Sequence, residues 1–288
     1  MQKVTADILK NIYQERPTDA RKYYFGLLLV IGGSEFYSGS PAFSALAAFR
    51  AGVDMVRIIA PKRAADIIAS FSPNLAAYPL DGSHLEKKHL TTLITMTESA
   101  KLTSKGKTAV VVGGGTGRTK ETQEAILEYL SHASIPAVID ADAIYAVGER
   151  PEVIMNQPFL ITPNLYEFFI LTGKQIRELT EEEKIKVVQE EAARLKTTIL
   201  LKGKIDIISN GKDVAVNEIS SSYLTKGGHG DTLAGICGAL IARGVDLFSA
   251  AQAAAFINVR AGQLAEQSKK EGLLATDLIE AIPEVLRQ

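Results

Sequence analysis

The stretch 27–51, LLLVI followed by GGSEFYSGS and PAFSALAAFRA, contains the unit that decides the fold. Five consecutive apolar residues at 27–31 predict a strand covered on both faces, as in a parallel sheet. Glycines and small hydroxyl residues follow at 32–40, and Pro41 is well placed to begin a helix. A strand, a turn and a helix in this order predict a βαβ unit of an α/β fold.

The same alternation continues along the chain. Further strands are predicted at 55–59, 108–112, 137–139, 159–161, 198–201 and 206–209. Helices are predicted at 41–51, 62–70, 120–133, 165–172 and 181–196. After about residue 214 we expect only helices, at 231–243, 247–267 and 275–286. We therefore predict a doubly wound, mostly parallel α/β sheet with helices on both faces, formed by residues 1–288 as a single domain.

Composition narrows the functional class. The chain has 32 Lys+Arg and 33 Asp+Glu, and this balance gives no field that favours nucleic acid or a membrane surface. Its one cysteine, Cys237, excludes an internal disulfide and argues against a Cys-based metal site. The N-terminal segment has no signal-peptide pattern, and every apolar run is far shorter than the roughly 20 residues that span a bilayer. We expect a soluble, cytoplasmic protein that binds small molecules, without nucleic-acid or membrane partners.

The glycine-rich stretch 225–235, TKGGHGDTLAG, carries the strongest chemical signal. Glycines at 227, 228 and 230 let the backbone approach a ligand closely, and a helix follows at once, so this stretch predicts an anion-binding helix N-terminus. Asp231 lies in the first turn, where it could take a proton from an alcohol while phosphate charge develops nearby. The alternative is that Asp231 is only a favourable first-turn residue.

Two further glycine-rich loops, 32–41 and 113–117, follow predicted strands. The carboxyl ends of parallel strands meet at one edge of a sheet, so we expect these loops to lie close to the anion-binding turn. Alternatively, the glycines only allow the tight backbone turn and contact no ligand. The loop 113–117 lacks the Gly-Lys-Ser/Thr of a Walker loop, and it does not match the dinucleotide fingerprint.

Charged residues also follow predicted strands. Asp140 and Asp142 could hold Mg²⁺ or orient a polar group, and one of them could instead cap the next helix. Glu167 could contact a metal or phosphates, and Lys202 at a buried strand end predicts a ligand cleft.

The order of these loops resembles the ribokinase-like superfamily. Within it, the chain looks like the ADP/ATP-dependent NAD(P)H-hydrate dehydratases, often described as carbohydrate kinases, over roughly residues 20–286. The motifs are GGSxxYxGSP at 32–41, GxGxG at 113–117, DADA at 140–143, TPNxxE at 162–167, KG at 202–203 and GGxGDxLAG at 227–235.

The resemblance implies a reaction and a set of site residues. ADP or ATP would phosphorylate the C6 hydroxyl of hydrated NADH or NADPH, and phosphate would then leave as the nicotinamide double bond returns. Asp231 would be the base, and the backbone N–H groups of Gly228 to Gly230 would receive the phosphoryl charge. The implied substrate contacts are Ser40, Gly115, Asn164 and Asp231. The implied adenine-nucleotide contacts are Lys202, Gly203, Lys204, Ile205, Asp206 and Gly230. Mg²⁺ is expected between the phosphates, with Glu167 as the matching carboxylate.

The chain departs from the family pattern at several positions. It has Asn164 where His is usual, Tyr166 where Gly is usual, His229 where Thr is usual and Gly114 where Pro is common. Two alternatives therefore stay open: a kinase of a small alcohol, such as a sugar or vitamin precursor, and a catalytically silent nucleotide-binding protein. The resemblance also implies a homotetramer, and an epimerase supplied as a separate protein.

Overall fold

The computed structural model describes residues 1–287 and contains a ten-stranded sheet. Its strands are β1 (Gln2–Lys3), β2 (Leu27–Ile31), β3 (Met55–Pro61), β4 (Ala76–Leu80), β5 (Thr108–Val112), β6 (Ala137–Ile139), β7 (Phe159–Ile161), β8 (Thr198–Leu201), β9 (Asp206–Ser209) and β10 (Val214–Asn217). Their order is β1-β10-β9-β8-β7-β6-β5-β2-β3-β4. Strand β9 runs antiparallel to both of its neighbours, and the other pairs are parallel.

Helices cover both faces of the sheet. They are α1 (Asp7–Ile12), α2 (Gly39–Arg50), α3 (Lys62–Phe71), α4 (Leu90–Thr103), α5 (Lys120–His132), α6 (Asp142–Glu149), α7 (Leu165–Thr172), α8 (Glu181–Leu195), α9 (His229–Ala242), α10 (Leu247–Lys269) and α11 (Ala275–Val285). Within residues 1–287, no helix has the length and apolar character that a membrane crossing requires.

Side chains that alternate along the strands divide the core in two. Leu28 and Val30 of β2 point toward the core under α2, α9, α10 and α11. Leu27, Leu29 and Ile31 point toward the core under α4 to α8. The unbroken apolar run of β2 therefore serves both cores, which confirms the predicted α/β class and its two helical layers.

Helix α9 packs closely on the sheet and on α2. A methyl group added at Gly238 would lie 2.6 Å from Val111 and 2.8 Å from Leu28, and one added at Gly235 would collide with the backbone of Ser44. Cys237 lies between these glycines and is fully buried. The small residues of α9 thus fix the height at which its first turn stands above the sheet.

The structure corrects the predicted element list in several places. The expectation that no strand follows residue 214 is wrong, because Val214–Asn217 forms β10 and pairs with β9. Strands β1 and β4 and helices α1 and α4 were not predicted either. The seven predicted strands are present, and β3 continues two residues further, to Pro61.

Candidate active site

The loops after β2 and β5 meet at the point where the sheet order reverses, since β3 lies on one side of β2 and β5 on the other. Such a switch point is where open α/β sheets bind ligands. The Gly33 N–H donates a hydrogen bond to the Gly114 carbonyl at 2.8 Å and ties the two loops together. A methyl group added at Gly114 would lie 2.8 Å from Asp231 Oδ1 and 3.1 Å from Ser40 Cβ. Ser40, Gly114 and Asp231 are therefore neighbours, with Gly115 beside Ser40.

The turn before α9 leaves its backbone N–H groups open. Gly228 precedes the helix with a φ of 94°, and a methyl group there would lie 2.8 Å from Ala275 Cβ. The Thr232 N–H bonds to the Gly228 carbonyl at 3.0 Å, so the three preceding N–H groups of the helix have no partner within it. These groups and the helix dipole make this end suited to an anion.

Asp231 lies half-buried beside this open end. Burial raises the pKa of its carboxyl to about 7, with a smaller upward contribution from Asp140, while the Lys202 ammonium and the Ser40 hydroxyl act in the opposite direction. The Ser44 hydroxyl donates to the Asp231 carbonyl at 2.9 Å and anchors the turn to α2. A carboxyl with a pKa near neutral can accept a proton and release it again at physiological pH.

Lys202, directly after β8, brings a positive charge between two carboxylates of the site. Its Nζ lies 2.8 Å from Asp140 Oδ1 and 3.7 Å from Glu167 Oε2. The Thr162 hydroxyl donates to the same Asp140 oxygen at 2.7 Å. Burial acts to lower the pKa of Lys202, but the two carboxylates outweigh it and raise that pKa, so the side chain stays a cation.

Asn164 and Glu167 form the capping box of α7. Asn164 Oδ1 accepts hydrogen bonds from the N–H groups of Tyr166 and Glu167, both at 2.9 Å. Glu167 Oε2 accepts from the Asn164 N–H at 2.8 Å. Burial raises the pKa of Glu167, against the effect of Lys202. Both residues thus have a structural task at the edge where a ligand contact was predicted.

Asp142 holds a loop and does not cap a helix. The residue before α6 is Ala141, and neither Asp140 nor Asp142 occupies that position, so this alternative from the sequence is wrong. Asp142 Oδ2 accepts from the Gly117 N–H at 2.9 Å, and Oδ1 accepts from Arg118 Nε at 2.7 Å. We call residues 113–118 the glycine loop, and Asp142 fixes its far end.

Residues 1–287 contain no group of three or more His, Cys, Asp or Glu side chains arranged for a metal ion. Asp140 and Glu167 already share the Lys202 ammonium. The side chains do not by themselves form a magnesium cage, and the prediction that Glu167 contacts Mg²⁺ stays a prediction.

A cavity of about 510 Å³ opens beside the start of α9. Of the residues predicted to contact a nucleotide, it brings together Lys202, Gly203, Lys204, Asp206 and Gly230. Ile205 is not part of its lining and packs against the core under α4 to α8. Burial raises the pKa of Asp206 to about 6, with opposing hydrogen bonds from Asn217 Nδ2 and the Gly203 N–H.

The remaining lining was missed in the sequence, apart from Thr225 and His229, which belong to the glycine-rich stretch 225–235. Strand β10 runs in the same direction as β8, so the segment after β10 returns to the sheet edge where Lys202 lies. Because β10 was not predicted, the sequence did not place this segment. Helix α10 contributes as well. These additional lining residues are Ile219, Ser220, Ser221, Ser222, Leu224, Thr225, His229, Leu233, Ala255, Asn258 and Val259.

His229 is a buried member of this lining, only 3% exposed. Its Nδ1 lies 3.1 Å from the Lys226 carbonyl oxygen. Since a carbonyl only accepts, Nδ1 carries the proton and the opposite nitrogen, Nε2, is an acceptor. Within the described chain Nε2 has no hydrogen-bond partner, and burial lowers the pKa of the ring, which keeps it neutral.

The sequence as a whole matches proteins of one family. The family's sequence profile, described as NAD(P)H-hydrate dehydratase, matches residues 28–284. The chain is 39% identical over 282 residues to the bifunctional NAD(P)H-hydrate repair enzyme Nnr of Hyperthermus butylicus, covering 95% of this chain and 51% of that protein. It is 33% identical over 282 residues to the ADP-dependent (S)-NAD(P)H-hydrate dehydratase of Nitrosopumilus maritimus, covering 98% and 94%. The chain spans about half the length of the bifunctional relatives it matches.

Solved structures share the fold. A ribokinase-like superfamily protein of Enterococcus faecalis superposes with a TM-score of 0.85 at 22% identity, covering 99% of this chain and 95% of that one. The ADP/ATP-dependent NAD(P)H-hydrate dehydratase of Bacillus subtilis, co-crystallised with ATP/Mg²⁺, gives 0.81 at 24% identity, covering 99% and 98%. Because the family profile extends over nearly the whole sheet and every loop of the site, the chain belongs to the NAD(P)H-hydrate dehydratase family.

Proposed function

We propose that the chain dehydrates hydrated NADH and NADPH at the expense of ADP or ATP. The observation that carries the proposal is the position of Asp231. Its carboxyl, with a pKa near 7, stands beside the open N–H groups of α9 and next to the 510 Å³ cavity. A base, an anion-binding turn and a nucleotide-sized space are the parts that phosphoryl transfer to an alcohol needs.

The proposed reaction has two stages, phosphorylation and loss of phosphate. Asp231 takes the proton from the C6 hydroxyl, and the hydroxyl oxygen attacks the terminal phosphorus of the nucleotide. The bond from that phosphorus to the bridging oxygen breaks, and the shortened nucleotide leaves. The C6–O bond then breaks and phosphate departs with the bonding electrons. The neighbouring carbon loses a proton to the departing phosphate or to water, and the C–H electrons form the double bond. Phosphorylation is useful because phosphate is a far better leaving group than hydroxide.

The roles of the surrounding residues belong to the same proposal. Backbone N–H groups from Gly228 to Gly230 receive the transferred phosphoryl group, and Ser40, Gly115 and Asn164 contact the substrate. Lys202, Gly203, Lys204, Asp206 and Gly230 contact the nucleotide, and their shared place on one cavity supports this. Ile205 would contribute its backbone, since its side chain packs away from the cavity.

Magnesium would enter with the nucleotide phosphates. The acidic side chains do not form a cage by themselves, so phosphate oxygens and water would supply most ligands, with Glu167 as the nearest proposed carboxylate. The ion would neutralise phosphate charge.

Turnover tests the proposal directly. The chain is incubated with hydrated NADH or hydrated NADPH and either ADP or ATP, and recovery of the near-ultraviolet absorbance of the reduced nicotinamide is followed. We expect recovery that requires a nucleotide and releases one phosphate for each substrate restored. Phosphorylation of a sugar or vitamin precursor without recovery would instead identify a small-alcohol kinase. Nucleotide binding without any turnover would identify a silent binding protein.

The expected homotetramer and the separate epimerase stay proposals. Light scattering coupled to size-exclusion chromatography tests the first, and we expect a mass near four times the 31.0 kDa of one chain. The second predicts that the chain consumes one C6 epimer of the hydrate and leaves the other until an epimerase is added.

A further inference from the structure

Arg118, Tyr145 and Tyr166 form a cluster near the glycine loop, and none of the three lines the 510 Å³ cavity. The Arg118 guanidinium carbon lies 3.5 Å from the centre of the Tyr145 ring. The Tyr145 and Tyr166 rings are 6.4 Å apart, and Phe169 continues the row at 6.3 Å from Tyr166. We call Arg118, Tyr145 and Tyr166 the arginine–tyrosine cluster.

Arg118 is held in place yet remains open to a ligand. Its Nε donates to Asp142 Oδ1 at 2.7 Å, and its flat face stacks on Tyr145. About half of the side-chain surface, 51%, still faces solvent. An arginine fixed along one edge and one face has lost its conformational freedom in advance, which favours binding of a phosphate at the remaining edge.

Tyr166 adds an exposed aromatic surface. The residue is 57% exposed, so its ring is open to a ligand. Its capping-box neighbours Asn164 and Glu167 fix the first turn of α7, so the ring stands on a rigid element. Exposed aromatic rings beside an arginine are the groups on which nucleic-acid bases stack.

The glycine loop joins this cluster to the reacting centre. Gly114 lies against Asp231 and Ser40, and Arg118, four residues later, belongs to the cluster. The nucleotide cavity is lined by α9 and α10, whereas Tyr145 and Tyr166 lie on α6 and α7, which cover the other face of the sheet. A molecule that reacts at Asp231 and extends away from the cavity would run along the glycine loop toward the cluster.

We propose that the arginine–tyrosine cluster binds the adenosine-phosphate half of the dinucleotide substrate. Arg118 contacts a phosphate of that half, and Tyr166 stacks on the adenine. The inference rests on the proposed function, because a hydrated NADH or NADPH molecule has a second nucleotide attached to the ring that reacts. Hydrated reduced nicotinamide mononucleotide has the same reacting ring without that half.

The two substrates separate this role from a structural one. Arg118→Ala and Tyr166→Ala are compared with the wild-type chain on hydrated NADH and on hydrated reduced nicotinamide mononucleotide. We expect each variant to raise the KM for the dinucleotide by about tenfold, the usual effect of losing one stacked base or one phosphate contact. The KM for the mononucleotide should change by less than about twofold. Equal rises for both substrates, or no rise for either, would overturn the proposal.

Matched controls exist elsewhere on the surface. Arg50 is also half exposed and pairs with Glu280 at 2.7 Å, and Phe71 is 53% exposed. Arg50→Ala and Phe71→Ala should leave both KM values unchanged. That result would show that the loss of any surface ion pair or exposed ring does not by itself raise the KM for the dinucleotide.

A binding measurement keeps the inference testable if turnover fails. A non-hydrolysable ATP analogue fills the cavity, and the affinities for NADPH and for reduced nicotinamide mononucleotide are measured by calorimetry. Wild type should bind NADPH at least about tenfold more tightly, and Arg118→Ala and Tyr166→Ala should remove that advantage. If the advantage is present without dehydration, the subsite stands and the proposed function fails. If NADPH gains nothing over the mononucleotide, the subsite is wrong.

Discussion

Asp231 shows how a single carboxyl obtains a useful pKa from its surroundings. Burial and the Asp140 charge oppose ionisation, and Lys202 and Ser40 favour it. The two effects leave the pKa of the Asp231 carboxyl near 7, so that it exchanges a proton easily at neutral pH. The same carboxyl on an exposed helix start would be fully ionised at neutral pH and a weaker base.

Asp231→Asn should reduce kcat by about 10²–10⁴-fold, the range expected when a general base is lost. The amide has nearly the same shape, so nucleotide affinity measured by calorimetry should change less than about threefold. A variant as active as the wild type would show that Asp231 is not the base.

Activity should rise with pH through a single ionisation near 7. Only the ionised carboxyl can accept the alcohol proton, so kcat/KM below this pH should fall about tenfold per unit. The measurement is a kcat/KM profile from pH 5 to pH 9, with each value corrected for enzyme stability. A profile that is flat across neutrality would contradict the assigned pKa.

The same pKa predicts that the stability of the fold decreases with pH over the range in which activity increases. Because the folded pKa of Asp231 is raised from its ordinary 3.8 to about 7, the folded chain holds a proton between these values that the unfolded chain has released. The free energy of unfolding of the wild type therefore falls as pH rises through this window. Asp231→Asn has no carboxyl to ionise, so it should be more stable than wild type by roughly 2 kcal/mol at pH 8. The difference should shrink toward pH 4. Urea unfolding at several pH values measures it, and a constant difference would count against burial as the cause.

Lys202 pairs with both Asp140 and Glu167, and its removal should be costly. Lys202→Met leaves Asp140 without its 2.8 Å partner in a buried place, and we expect a loss of about 2–4 kcal/mol in the free energy of unfolding. Lys62→Met is the control, since Lys62 makes a bridge of equal length to Asp66 on the surface and should cost less than about 0.5 kcal/mol. Equal losses in both variants would contradict the assigned role of burial.

At the scale of elements, the glycine loop positions Asp231. Gly114 has no room for a side chain because Asp231 and Ser40 occupy the space on either side. Gly114→Ala should therefore displace the Asp231 carboxylate and lower kcat by about tenfold or more, while the melting temperature changes little. Gly272→Ala is the control, since a methyl group there meets no atom within 4 Å. Full activity in Gly114→Ala would show that the loop accommodates the methyl group without displacing Asp231.

Elements were predictable where burial on both faces left a clear pattern. Thr108–Val112 is almost entirely apolar and was found with correct bounds, as was Leu165–Thr172 between Asn164 and Gly173. The strand Ala76–Leu80 lies at the edge of the sheet, is mostly exposed and contains Pro79, so it lacks that pattern. Val214–Asn217 was missed although Asn210-Gly211 before it is a hairpin signal.

The site was predictable as a set of loops and not as a set of contacts. Asp231 and Lys202 follow from their positions at a helix start and a strand end. The hydrogen bond from Lys202 to Asp140 joins residues 62 apart in the chain, and His229 shares the cavity wall with Asn258 and Val259 of α10, so neither has a local signal. Most of the cavity-lining residues after β10 were not predicted, for the same reason.

At the scale of the whole molecule, nucleotide binding should stabilise the fold. The cavity is lined by the ends of strands and by α9 and α10, so a ligand there joins elements that separate on unfolding. At about 100 times Kd, ADP or ATP should add about 2.7 kcal/mol and raise the melting temperature by roughly 5 °C. Scanning calorimetry checks this, with inorganic phosphate at equal concentration as the control. An equal shift from phosphate alone would place the effect at the anion-binding turn and not in the cavity.

The burial of Cys237 gives the molecule a built-in reporter. It is the chain's one thiol, and the depth that hides it also raises its pKa far above neutrality, so it is inert while α9 stays on the sheet. A thiol-reactive dye can therefore label the protein only in moments when the helix that carries Asp231 lifts away. The labelling rate therefore measures how often α9 opens under native conditions.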